Sequence, residues 1–257
     1  MRGLATTYRR AGSGPTVVYL HGMDLTQRWL PFHQSLSQRV DLIAPEQPGF
    51  GDTPMPQWLR SIDDVVLHLD DLFETLGLDD LHLVGFSLGG WIAAAFAVAY
   101  PRRLTSLTLA APFGLRVVDS PPYDVFRMTP EESDDVLFNG HRDEVITDDP
   151  EADRVETFVH SYLELTAAAR LAWNPRYDHR FDRRLERVAC PALVIAAQDD
   201  HVLPREHCER WAELLPSGRL TVLEGRSAPT GHMMVALEPK RLADLIADFV
   251  TAEEAQQ

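Results

Sequence analysis

Three side-chain types are placed where they could share one reaction. Gly85-Phe86-Ser87-Leu88-Gly89 follows an apolar run and opens a second, helix-like one. A strand running through G-x-S-x-G into a helix must turn sharply, and that turn presents the serine hydroxyl. Glycine is required two positions either side, where a larger side chain would collide. A serine hydroxyl attacks a carbonyl only with a base beside it, and the base needs an orienting carboxylate. Downstream, the apolar run Ala192–Ala197 leads into Gln198-Asp199-Asp200-His201, and Gly231-His232 follows the last strand-like run. Acids and histidines just past strand ends lie on the rim where parallel sheets build their sites. One of the pair Asp199-Asp200, together with His232, is therefore expected to converge on Ser87.

A developing oxyanion needs two donors. The N–H of Leu88, directly after the nucleophile, is one. The loop His21-Gly22-Met23-Asp24 follows the first long apolar run, and its glycine lets the backbone fold toward the serine. The Met23 N–H is the second expected donor. Asp24, three residues before Gln27, is read as the N-cap of a following helix. His82 lies inside a strand and is expected to be packed there. His33, His68, His160 and His207 fall in helical stretches and are expected at the surface.

The elements that must carry these residues alternate. Thr16–His21, Val40–Ala44, Leu81–Phe86, Thr105–Ala111, Ala192–Ala197 and Leu220–Glu224 are short, nearly continuous apolar runs, as in parallel strands covered on both faces. Between them lie helices with readable ends: Ser61 with Asp64 at one start, Gly77 at its stop, and an all-apolar Leu88–Tyr100 halted by Pro101. Helices are also expected over Pro204–Leu215 and Glu238–Val250, with the tail TAEEAQQ frayed. The pattern is that of a doubly wound α/β sheet. It breaks between Phe113 and Val188, where Thr129-Pro130-Glu131-Glu132 reads as a capped helix start. Asp149-Pro150 reads as the opening of a long helix with Val155, Phe158, Val159, Tyr162 and Thr166 on one face. The expected organisation is a core over residues 1–112 and 188–257, with residues 113–187 inserted as a helical cap.

The chain of 257 residues has 45% hydrophobic and 25% charged residues, ample for a packed core. Its net charge of −15 repels phosphate backbones and anionic lipids, so nucleic-acid and membrane roles are not expected. Cys190 and Cys208 suggest buried thiols rather than a disulfide framework. No segment approaches the roughly 18 continuous apolar residues of a membrane span, and the N-terminal stretch has no signal-like run; a cytoplasmic location is expected.

Taken in order, His21-Gly22, Pro48-Gly49-Phe50-Gly51, the turn at Ser87, Asp200 with Pro204 four residues on, and Gly231-His232 followed by Glu238-Pro239 resemble the α/β-hydrolase superfamily, in its branch with a helical cap. The resemblance covers essentially the whole chain. It implies the α/β-hydrolase fold, selects Asp200 over Asp199, makes Ser87, Asp200 and His232 a catalytic triad, and makes His21 a loop former. Ala197 stands where the family usually has glycine, and the loop Arg226–Thr230 is longer than usual. The resemblance implies hydrolysis through an acyl-enzyme with no metal or organic cofactor.

The substrate expected is a small, neutral, largely apolar ester, lactone or carbamate. Between Asp119 and Asp153 twelve acids stand against two arginines, a face that would disfavour anions if it bordered the entrance. Phe126, Phe158, Tyr162, Trp173 and Met233 are the expected pocket residues. The serine at the elbow separates the chain from relatives that use aspartate there. Carbon–carbon bond hydrolases of ring-cleavage products are the alternative, although Met23 and Met233 stand where they usually have glycine and tryptophan. A non-catalytic ligand scaffold of the same fold is the alternative from a different class.

Overall fold

The computed structural model describes residues 3–146, 154–226 and 230–255. Seven strands form one sheet: β1 (Tyr8–Gly12), β2 (Thr16–Leu20), β3 (Asp41–Pro45), β4 (Leu81–Phe86), β5 (Leu104–Ala110), β6 (Ala192–Ala197) and β7 (Gly218–Leu223). Their spatial order is β1-β3-β2-β4-β5-β6-β7. Among the described strands only β1 runs antiparallel, pairing Tyr8 with Pro45 through Gly12 with Asp41. The central strands β4 and β6 are buried at every position, which is why they read as unbroken apolar runs.

Helices α1 (Pro31–Leu36), α2 (Ile62–Leu76) and α3 (Leu88–Ala99) connect the first strands. In α2 the expected cap is present: Ser61 Oγ accepts the Asp64 N–H, the Asp64 carboxylate accepts the Ser61 N–H, and Gly77 ends the helix at φ 65°. Ten residues of α3 are buried, so its nearly uniform apolarity reflects contact on all sides.

The inserted segment between β5 and β6 carries α4 (Pro130–Phe138), α5 (Arg142–Val145), α6 (Arg154–Ala172) and α7 (Phe181–Arg184). Thr129 and Glu132 form the expected capping box of α4. The expected helix opening at Asp149-Pro150 lies outside the described residues. At the base of the segment Gly114 bridges Tyr177, and the Asp178 N–H donates to Gly114 O at 2.8 Å, so the chain leaves and returns through one neck. Phe181, in α7, packs its ring against Trp211 below that neck.

After β6 come α8 (Arg205–Leu214), α9 (Met234–Leu237) and α10 (Pro239–Glu254). The tail does not fray where sequence suggested: α10 continues to Glu254, whose carboxylate meets His82 Nε2 at 2.8 Å. Both cysteines are buried and unpaired, and burial pushes the Cys190 thiol up to about 11. No helix among the described residues is long and apolar enough to cross a membrane.

Candidate active site

Strand β4 delivers the chain to Ser87, which sits at φ 54° and ψ −116° before α3 begins. That conformation is strained for a serine and is held on three sides. The Ser87 N–H donates to Ala110 O at 2.9 Å, while Ser87 O accepts from Gly90 N at 3.0 Å and Phe113 N at 3.1 Å. The flanking glycines are dictated by backbone contact. A Cβ on Gly85 would lie 2.3 Å from Gly89 O, and one on Gly89 would lie 2.2 Å from Leu20 O.

His232 Nε2 lies 3.0 Å from Ser87 Oγ, and its Nδ1 lies 2.9 Å from Asp200 Oδ2. The other carboxylate oxygen of Asp200 accepts the N–H groups of Val202 and Leu203 at 2.9 and 2.8 Å. Those bonds fix the carboxylate plane toward the imidazole, and all three side chains are buried. Asp199 turns away; its backbone O accepts from Asn139 Nδ2 at 3.0 Å. Asn139, in left-handed conformation at the end of α4, therefore braces the acid loop, while Leu137 O takes the Met233 N–H at 2.9 Å beside the histidine. Nothing in the sequence pattern marked Asn139 for that contact.

The N–H groups of Met23 and Leu88 donate to no protein acceptor among the described residues. Both residues line the pocket that holds Ser87, along with Phe113, Tyr123, Val125, Phe126, Ala172 and Arg176. Two free donors beside a buried hydroxyl can receive a developing oxyanion. His21 serves its loop: Nδ1 bonds Gly22 O at 2.7 Å, Nε2 accepts the Gln47 N–H at 3.0 Å, and burial holds its pKa down near about 4.

Several expectations need correction. Of the expected pocket residues, Phe126 lines the Ser87 pocket. Phe158 and Tyr162 are 71% and 61% exposed, because α6 faces the core with its small and polar side instead. Ala167 packs where a Cβ on Gly49 would clash, at 2.6 Å, and Glu164 bonds core loops on the same face. Trp173 is 58% exposed and borders an outer groove. Met233 is buried in a separate small cavity with His21 and Phe86. Asp24 caps no helix: Oδ1 accepts from Leu25 N, and α1 starts only at Pro31. His33, His68 and His207 are buried rather than superficial. Tyr123 and Arg176 stand on irregular chain, and Val125 opens a single three-residue 3-10 turn, so no periodicity marks an inward face at any of them. Among the described residues no group of three or more His, Cys, Asp or Glu side chains is arranged to hold a metal ion.

A family model described as "Alpha/beta hydrolase family" matches residues 17–245. The chain is similar to a 2-hydroxy-6-oxo-2,4-heptadienoate hydrolase of Pseudomonas putida, 25% identical over 98% of this chain and 95% of that one. It is similar to a monoacylglycerol lipase of Mus musculus, 25% identical over 95% of this chain and 77% of the relative. Among solved structures, the fold is shared with a meta-cleavage product hydrolase from Pseudomonas fluorescens IP01, with TM-score 0.74, 22% identity, and coverage of 96% and 94% of the two chains. With the seven-stranded sheet and a family match spanning most of its length, the chain belongs to the alpha/beta hydrolase family.

Proposed function

We propose that the protein is a serine hydrolase that cleaves a carboxylic ester, uncharged at its reacting end, through an acyl-enzyme. The observation that carries this reading is the continuous hydrogen-bond line from Asp200 through His232 to Ser87 Oγ. Ser87 Oγ attacks the carbonyl carbon as its proton passes to His232 Nε2. The oxyanion lies between the Met23 and Leu88 N–H groups. Collapse expels the alcohol, which takes the proton back from His232. Water then attacks the acyl-enzyme with His232 as base, releasing the acid and restoring Ser87. Asp200 holds the imidazole with its proton on Nδ1 and stabilises the imidazolium. The segment 113–187 acts as a cap that shields this chemistry from bulk water.

The apolar walls given by Val125, Phe126, Phe113 and Ala172 suit an uncharged reacting group. A second reading, carbon–carbon bond hydrolysis of a vinylogous diketone, is favoured by the likeness to the heptadienoate hydrolase. A 4-nitrophenyl ester series tests both when run beside a vinylogous diketone, with wild type and Ser87→Ala. Ester turnover that vanishes in Ser87→Ala supports the esterase. Cleavage of the diketone alone moves the assignment to the second reading. Silence on both, from folded protein, leaves an ester of different structure or the ligand scaffold, and a ligand screen separates these.

A further inference from the structure

The pocket at Ser87 has a cavity volume of only about 20 Å³, room for about one water. A whole substrate does not fit there. Beside it lies a groove of about 710 Å³, the size of a small-molecule site. Arg176 lines both spaces and stands between them, its Nη2 2.7 Å from Asp124 Oδ2. In a chain with 39 acids, the groove has no aspartate or glutamate in its lining among the described residues. Its walls are Pro121, Pro122, Trp173 and Tyr177, and its second arginine is Arg116.

Arg116 has an unusual partner. Its guanidinium lies 5.4 Å from the centre of the Tyr177 ring, and Nη1 is 3.4 Å from the Tyr177 hydroxyl. It has no carboxylate partner among the described residues. An aromatic ring holds the cation in place but satisfies few of its five donors, which remain open to a carboxylate in the groove. Among its described residues, the acidic stretch after Asp119 contributes Pro121 and Pro122 to the lining, and its Asp124 is paired with Arg176, so none of these carboxylates faces the groove unpaired.

We infer that the groove of Arg116, Trp173 and Tyr177 is a second substrate site, taking an apolar arm of the ester that ends in a carboxylate. The small uncharged end then reacts at Ser87, and the arm passes Arg176 to stack on Trp173 and Tyr177 with its carboxylate on Arg116. This rests on the ester-hydrolase reading and names its substrate class: half-esters of dicarboxylic acids, or esters of hydroxy acids.

The test compares paired substrates. Monomethyl esters of dicarboxylic acids, from succinate to suberate, are run against neutral methyl esters of equal chain length, with acid release followed by pH-stat titration. For an arm on the alcohol side, 5-acetoxypentanoate is run against pentyl acetate. A carboxylated member of either set should exceed its neutral partner in kcat/KM by about fivefold or more, the factor expected of one partly exposed charge pair. Arg116→Gln should bring that ratio to about one, and salt at about 0.5 M should shrink it in the wild type. Neutral partners equal or preferred throughout would overturn the inference, as would an Arg116→Gln ratio unchanged from wild type. If folded protein turns over no ester, the ester reading fails separately. The groove is then judged by calorimetric titration with octanoate against octanol: octanoate binding lost in Arg116→Gln retains it, and equal or absent binding rejects it.

Discussion

Glu164 on α6 reaches down to Thr26 in the loop after β2: its Oε2 accepts the Thr26 hydroxyl at 3.2 Å, while Oε1 accepts the Gly51 N–H at 3.0 Å. Thr26 follows Asp24 and Leu25, both at positive φ, 69° and 59°. Two such residues store about 1–3 kcal/mol each, and strain of that size persists only where neighbours hold it. The inserted segment thus clamps the loop that presents the Met23 N–H. Burial raises the Glu164 pKa, partly offset by these two donors. Glu164→Ala is expected to lower kcat on 4-nitrophenyl acetate by about ten- to a hundredfold, through a loosened loop. Glu164→Gln should retain most activity, since an amide can accept from Gly51 and donate to Thr26. Equal loss in both variants would show that the charge, not the bridge, matters.

Asp200→Asn is expected to keep the fold and lose about four orders of magnitude in kcat. The amide oxygen can still accept from Val202 and Leu203 N–H, which turns the NH2 group toward His232 Nδ1. A donor there leaves Nδ1 unprotonated and puts the imidazole proton on Nε2, facing Ser87. The histidine then cannot take the serine proton. Steady-state kinetics beside a circular-dichroism melt decide the matter, and wild-type kcat would remove Asp200 from the mechanism.

Two buried histidines set an acid limit on stability. Burial holds His21 and His33 near about 4, and the backbone bond to Gly22 only partly offsets this at His21. Unfolded, each titrates near about 6.5. Between those values the unfolded chain binds protons that the folded chain refuses, so stability must fall as pH drops from about 6.5 to about 4. Below that window both states are protonated and this contribution levels off. The slope approaches about 1.4 kcal/mol per pH unit for each histidine. Urea midpoints between pH 7 and pH 5 should track it; a flat profile would mean that these rings are not buried in neutral form.

The sequence made the Ser87, Asp200 and His232 cluster legible because each residue follows a strand on the same rim. Parallel strands within one sheet, here β4, β6 and β7 with β5 between the first two, bring such ends to one rim. The pocket was not legible, for a reason visible in α6. Its apolar stripe through Phe158 and Tyr162 invites an inward reading, but the close approach of Gly49 to Ala167 admits only small side chains on the packed face. Helical periodicity reports that a face is apolar, not which neighbour is near. The same limit hid His68 and His207, whose rings are buried with bonds to the Thr6 hydroxyl and to Ser120 O. Strand β1, Tyr-Arg-Arg-Ala-Gly, escaped notice because an edge strand keeps one side in water and needs no apolar run.

The neck at Gly114 and Tyr177 has a consequence for how such a chain diversifies. Ser87 precedes it, Asp200 and His232 follow it, and the inserted helices hang from two backbone points a strand's spacing apart. The stretch between can be exchanged as a cassette, by recombination or at the bench, while the reacting atoms keep their positions. An incoming piece inherits obligations on each site loop: something must replace Asn139 and the Tyr123 N–H on the acid loop, Leu137 O beside the histidine, and Glu164 on the loop of Met23. A graft that meets them would carry a new specificity on unaltered chemistry; one that supplies only bulk would seal the site without arming it.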